Sequence, residues 1–406
     1  MNPIVYAIPV FMLSILAEAW LANRRKVPTY DVADAITSLH FGVLSQVSGA
    51  FTKIFTLGIY VLVFEQARLF DLPTDAVWVW CAALLGYDFL YYWVHRAGHE
   101  VNLIWASHQV HHSSEWYNLS TALRQTSTGA LFVWPLYLPL AILGVPPVVF
   151  GTVALIDLLY QYWVHTELVG RLGWADRVFV TPSNHRVHHG QNDWCIDRNY
   201  GGILILWDRL FGTFAAERYD EPVVYGIRKP LASYDTLWGN LHVYRDIFRE
   251  SSRESSWRAA VSRWFAPPAG WNATIAHLDP ATVHRYAPSI SNAAKWYALL
   301  QYALMVPVAT HFIAVANSLS IAARVGYALT ILVSAVSVGW WLEGRRSAQY
   351  TEPMRVVVLG LSFVSASNMF GWATQGSLGV AVALTIGLWM LASLAGVATI
   401  KRIRES

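Results

Sequence analysis

AVWVWCAALLGYDFLYYWVHRAGHE, residues 76–100, sets the terms for the whole chain: an apolar run ends in two histidines four residues apart. A hydrocarbon core ~30 Å thick takes a helix of ~20 apolar residues, and residues 76 to 94 supply one. His95 and His99 then share a helix face at the membrane edge, because positions i and i+4 are neighbours on a helix surface. A lipid-embedded helix that delivers paired imidazoles to its own end is the element from which the rest of the reading grows.

Other stretches of the same kind lie at about 3 to 22, 41 to 64, 296 to 316, 321 to 342, 355 to 373 and 378 to 399. Two shorter runs, about 130 to 145 and 148 to 164, are divided by Gly144, Pro146 and Pro147, where a helix cannot continue. They predict a helical hairpin that dips into or just crosses the bilayer. With 55% hydrophobic and 14% charged residues, the 406-residue chain is far more apolar than a soluble protein needs to be. The N-terminus lacks a basic leader and a small-residue cleavage site, so it reads as a retained first span.

The net charge of +3 is small and its basic residues are dispersed, which gives no reason to propose a nucleic-acid partner. They fit topology instead. Arg24, Arg25 and Lys26, then Arg345 and Arg346, then Lys401, Arg402 and Arg404 fall on one side when the spans are threaded alternately. Basic flanks stay preferentially in the cytoplasm, so the N-terminus is expected outside and the histidines on the cytoplasmic side. The fold class expected is therefore an all-α integral membrane protein, a multi-span helical bundle with a cytoplasmic histidine-rich di-metal site. Residues 1–295 would form the histidine-bearing unit, with a polar layer from about 170, and residues 296–406 a C-terminal four-span bundle acting as membrane support or shaping a lipid entrance.

Fourteen histidines occur, and nine of them cluster: His95 and His99 in HRAGH, His108, His111 and His112 in HQVHH, the single His165, and His185, His188 and His189 in HRVHH. Nine imidazoles gathered at helix ends would repel when protonated, whereas metal ions use the neutral lone pair of each. His40, His242, His277, His284 and His311 stand alone and read as ordinary polar residues. With only Cys81 and Cys195 in the chain, a disulfide framework is not expected and metal ligation falls to histidine and carboxylate.

An internal repeat suggests two metals. Tyr92-Trp93-Val94-His95 recurs as Tyr162-Trp163-Val164-His165, and each copy is followed by an HxVHH box. The position matching His99 is Val169, so the two sites would be unequal. Imidazole suits zinc, copper, iron and nickel alike, but a closed zinc site needs four ligands rather than nine. So many nitrogen donors beside a membrane, with no activated serine or cysteine, fit oxygen activation at two irons.

Near the boxes, Glu100, Glu115 and Asn118 are candidates for orienting imidazole N–H groups or touching a polar head group, Glu100 above the others. Asp88 and Asp157 lie within spans, seven and eight residues before His95 and His165. Such groups face the protein interior and could pair with arginine, meet an imidazole or hold a polar helix contact.

The boxes, in this order and with a lone histidine between the second and third, resemble the fatty acid hydroxylase and sterol desaturase superfamily of membrane di-iron enzymes. Within it, WASHQVHHSSEWYNLSTALRQ (105–125), YWVHTELVGRLG (162–173) and TPSNHRVHHGQN followed by CIDRNYGGILILWDRLFGTF look like the branch that cleaves glyceryl ethers. The resemblance covers roughly residues 30 to 230. It implies two iron ions as cofactors, O2-dependent hydroxylation of a lipid carbon next to an ether oxygen, and tetrahydrobiopterin or another external electron donor. It makes iron ligands of His95, His99, His108, His111, His112, His185, His188 and His189, adds His165, and gives Glu100 a catalytic place. Fatty acyl, sterol or carotenoid hydroxylation or desaturation is the rival within the superfamily, and a metal transporter or store is the rival outside it. Transport would need ionisable residues along a mid-membrane path.

Overall fold

The computed structural model describes residues 4–270, 276–365 and 376–405. Its α-helices run in chain order as α1 (Ile4–Arg25), α2 (Val32–Ala67), α3 (Val77–Glu100), α4 (Asn102–His112), α5 (Leu119–Ala122), α6 (Leu138–Ile142), α7 (Pro147–Trp163) and α8 (Pro182–His189). They continue as α9 (Leu206–Phe211), α10 (Thr236–Ser251), α11 (Trp257–Phe265), α12 (Asn292–Val315), α13 (Ile321–Leu342), α14 (Ala348–Ser365) and α15 (Gly376–Glu405). Among the described residues there is no strand, only isolated bridges such as Phe179 with Leu204.

Among the described residues, five helices, α1, α2, α3, α12 and α13, are long and apolar enough to cross a membrane. The expected span 378–399 falls within α15, whereas residues 366–373 of the span expected at 355–373 lie outside the described residues, as does residue 3 of the first. α2 starts well before the expected 41. Asp31 caps it by accepting from the amides of Ala33 and Asp34 at 2.9 and 3.1 Å, and 36 residues give a helix of ~54 Å, longer than the bilayer core. The additional turns carry Asp34 and Ser38 into the polar layer, where both bind Arg124.

The expected helical hairpin forms only in its second arm. α7 holds as a helix, but residues 130–145 break into two short tight turns and α6, because Pro135 and Pro139 interrupt the apolar run. Between α6 and α7, Gly144 takes φ +86° and lies so close to the Phe70 carbonyl that a Cβ would collide with it.

Apolar burial joins the two ends of the chain. One core cluster gathers Ile15 of α1, Ile36 and Leu39 of α2, Tyr297 and Ala298 of α12, and Val338 and Trp341 of α13. The C-terminal helices are also tied by a buried polar set. Arg355 pairs with Glu352, Arg355 Nη2 donates to Gln301 at 2.9 Å, and Tyr297 and Ser337 donate to Glu352 at 2.7 and 2.5 Å. Ionisable groups inside an apolar bundle are stable only when paired in this way. Above the bundle, α4, α5 and α8 to α11 make a polar cap, and α11 is stitched to α4 by Asn102, whose amide reaches Ala266 O at 2.9 Å.

Candidate metal centre

The nine clustered histidines come together, and they divide into two groups: His95, His99, His108, His112 and His188 in one, His111, His165, His185 and His189 in the other. Within each, ligand atoms lie within 4.8 Å of one another. The division does not follow the boxes. On a helix turning ~100° per residue, positions i and i+4 are ~40° apart while i+3 and i+4 diverge by ~100°. His108 and His112 therefore stay together and His111 crosses to the other group; likewise His185 and His189 stay together and His188 crosses. Each HxVHH box serves both groups, so the boxes do not each present all their imidazoles to one point.

Backbone carbonyls determine which ring nitrogen is free. Nδ1 of His95, His111, His165 and His188 lies 2.8, 3.1, 2.8 and 3.0 Å from the carbonyls of Tyr200, Arg124, Gln161 and Arg198. A carbonyl only accepts, so each Nδ1 carries the proton and each Nε2 presents a bare lone pair. His165 Nε2 nevertheless faces His111 Nε2 at 3.2 Å. Burial keeps both rings neutral, holding His111 at about 4 and His165 well below the usual histidine range, with neighbouring imidazoles adding to the shift at His165. Two lone pairs aimed at one another repel unless a cation lies between them. His99 Nε2 and His185 Nδ1 are also buried with no partner among the described residues. The donor set fits metal ions with nitrogen preference, iron among them.

Further residues hold these carbonyls in place. Arg124, fully buried, donates to Val110 O at 3.1 Å and Ser113 Oγ at 3.0 Å and reaches Asp34 at 3.3 Å, tying α4 to α2. Arg186, between two histidines of α8, pairs twice with Glu217 at 2.6 and 2.8 Å and donates to the carbonyls of Thr166 and Val169 at 2.9 and 2.8 Å. Asp88 accepts from the amides of Ile203 and Leu204 and from Trp207 Nε1 at 2.6, 3.2 and 2.8 Å. Of the roles open to Asp88, it takes neither an arginine nor an imidazole but fastens the loop after the third box. Asp157 accepts from Gln161 at 2.5 Å and faces Gly202, where any Cβ would crowd both aspartates. A string such as DRNYGG (197–202) gives no sign that its carbonyls orient histidines; Tyr200, Arg198 and Gln161 act through backbone atoms that every residue has.

Glu100 pairs with Arg96 at 2.9 Å and leaves its carboxylate partly exposed, away from the cavity lining. From there a chain of contacts leads inward: Arg96 to Tyr92 OH at 3.3 Å, Tyr92 to Thr213 at 3.0 Å, Thr213 to Asp208 at 2.7 Å, and the Tyr200 amide to Asp208 at 2.7 Å. Tyr200 O is the acceptor for His95. Glu115 instead accepts from the amide of Tyr286, and Asn118 caps α5 while donating to Thr29 O at 2.7 Å. His40, His242, His277, His284 and His311 belong to neither group, His277 pairing with Asp193 and His242 with backbone of its own helix.

A cavity of ≈480 Å³ meets both groups, with His95, His108, His111 and His165 on its wall. Ser107, Gln125 and Thr126 make that end polar, and α1, α2, α7 and α12 line the remainder with mostly apolar side chains. Such a cavity can hold an amphipathic molecule with its polar end at the imidazoles.

Comparison with known proteins places the chain in a family. The profile of the Fatty acid hydroxylase family matches residues 80–213, which contain all nine histidines. Alkylglycerol monooxygenase of Homo sapiens is 38% identical over 363 residues, 87% of this chain and 80% of that protein. Its counterpart in Danio rerio is 38% identical over 370 residues, 87% of this chain and 81% of that one, and in Xenopus tropicalis 34% over 359 residues, 86% and 79%. No solved structure matches. Over most of its length, histidine boxes included, the chain belongs to the fatty acid hydroxylase family, alongside the alkylglycerol monooxygenases.

Proposed function

We propose that this chain is a membrane monooxygenase that cleaves the ether bond of alkylglycerols, using two irons, one in each histidine group. The observation that carries the reading is the convergence of imidazole nitrogens, five histidines on one side and four on the other, four of them with Nε2 left bare by a carbonyl on Nδ1, at the polar end of an apolar cavity. Bound there, iron would supply the activation of dioxygen. One oxygen atom enters the C–H bond next to the ether oxygen, and the other leaves as water with a pair of electrons and protons from an external donor, a tetrahydropterin being one candidate. The resulting hemiacetal breaks its C–O bond to give a fatty aldehyde and glycerol.

The chain's own residues do the placing. Carbonyls of Tyr200, Arg198, Arg124 and Gln161 fix the tautomer and tilt of four imidazoles. The apolar walls exclude water from the reacting carbon and hold it beside the centre. Glu100 acts as a positioning residue, steadying Tyr200 through Arg96, Tyr92, Thr213 and Asp208. Residues 1–295 form the oxidising unit, with its histidine layer on the cytoplasmic side, a side supported by Arg24, Arg25 and Lys26 after α1 and by Arg345 and Arg346 after α13.

Purified protein loaded anaerobically with ferrous iron and supplied with tetrahydrobiopterin, oxygen and an alkylglycerol is expected to release fatty aldehyde with two irons per chain. Absence of turnover on alkylglycerol at full iron loading overturns the ether-cleaving reading, and turnover on an acyl lipid or sterol in its place reassigns the substrate.

A further inference from the structure

We infer that α12 sets which alkyl chain lengths the enzyme accepts, by forming the deep end of the substrate cavity together with the start of α1; this rests on the ether-lipid reading above. Five observations lead there. The same cavity is lined by His108 and His165 at one end and by Ile4 and Ile8 of α1 and Ala309 and Ile313 of α12 elsewhere. The helices' directions give its depth. Lys295, in the first turn of α12, pairs with Asp31 at the start of α2, and Arg25 at the end of α1 donates to Leu168 O, three residues past His165. These contacts place that end of α1 and of α12 at the histidine layer, so Ile8 and Ile313 lie on the order of 20 Å away along the helix axes at 1.5 Å per residue.

A volume of ≈480 Å³ drawn out over a length of that order leaves room for one hydrocarbon chain in cross-section. The lining chemistry is graded: imidazoles, Ser107, Gln125 and Thr126 gather where a glycerol head would sit, whereas toward the far end aliphatic side chains predominate around Gln46 and Thr310, the Thr310 hydroxyl being spent on Val306 O at 2.7 Å. Ala309 lines the cavity with a small side chain beside Met305 and Phe312, so a larger side chain at this position takes up space that the tail would fill. α12 thus gives the C-terminal helices a share in substrate selection as well as support.

Two full-length variants with opposite expected effects test this. Ala309→Phe is expected to lower kcat/KM for octadecylglycerol about tenfold while leaving decylglycerol within about twofold. Ile313→Ala is expected to shift preference the other way, toward the longer ether. The same profile is read without turnover, as competition of decyl, hexadecyl and octadecyl ethers against radiolabelled hexadecylglycerol for the purified chain. Opposite shifts in the two variants cannot come from general misfolding and support the inference. Equal effects on all chain lengths, or none, in both readouts overturn it. Chain-length-dependent binding that the variants shift, without any oxidation of the bound ether, overturns the ether-cleaving reading and leaves the cavity assignment standing.

Discussion

The five-histidine and four-histidine groups both draw on the same two boxes, each box giving its middle histidine to the other group, yet they differ by one imidazole, since His95 and His99 join the first and His165 alone joins the second. The difference starts where two similar helices end. α3 runs one turn past His95 and so carries His99 on the same face, while α7 stops at Trp163, before His165. After His165 the chain is drawn elsewhere. Buried Glu18 of α1 accepts from Thr166 Oγ1, and Arg186 takes the carbonyls of Thr166 and Val169 that a continuing helix would have used. Two copies of the same four residues thus end in unequal sites because the segments after His95 and His165 are held by different partners.

Removing one ligand from each group should give the largest and most unequal effects. His165→Ala leaves three imidazoles in its group, and activity is expected to fall by more than ~100-fold, beyond the range for residues that only orient a ligand. Iron content should drop by about half, with the helical signal unchanged. His99→Ala leaves four imidazoles in the other group, so iron stays near its full content and aldehyde formation falls by roughly tenfold. Equal iron loss in the two variants would break the distinction between the groups.

The anchors of the two loops come next. Arg186 holds residues 166–169 beside the four-histidine group, and Asp88 holds residues 203–207 beside the five-histidine group. Arg186→Ala strands the partly buried Glu217 and frees two carbonyls, so a loss of about 3 kcal/mol is expected in a thermal melt. Asp88→Asn keeps an acceptor on only one side of the carboxylate, for the Ile203 amide or for the Leu204 amide and Trp207 Nε1, and about 1 to 2 kcal/mol is expected. Glu100→Gln breaks only the charge of its pair with Arg96. Turnover is expected to fall by about tenfold at unchanged iron content; loss of iron in this variant would show that the Arg96 to Tyr200 chain governs ligation itself.

Much of this arrangement is legible in local pattern, and the misses have physical causes. Apolar runs and His spacing depend on neighbours in sequence, which is why α1, α3, α12, α13 and the nine histidines are visible there. The sharing of His111 and His188 is implicit in helix geometry but needs the two boxes placed face to face. Residues 130–145 mislead because apolar composition outweighs Pro135 and Pro139. The contribution of α12 to the cavity has no local sign, since it depends on packing against α1 and α2 across nearly three hundred residues. Asp88 stands out in the sequence as costly at its depth, but its partners are backbone amides of a distant loop.

Val169 offers the smallest and sharpest test of the comparison. Counting along the sequence makes it the counterpart of His99, and by that logic Val169→His would complete a fifth ligand and equalise the groups. The structure puts position 169 in an irregular segment whose carbonyl is held by Arg186, not one helical turn beyond His165. An imidazole there would have no helix to aim it. Activity and iron content are therefore expected to stay within about twofold of the parent, because Val169 is only partly buried and it is its backbone carbonyl, which any residue keeps, that Arg186 holds. A clear rise in iron affinity of the four-histidine group would mean that residues 166–169 can rewind onto α7, and that the inequality lies in the missing side chain and not in the end of the helix.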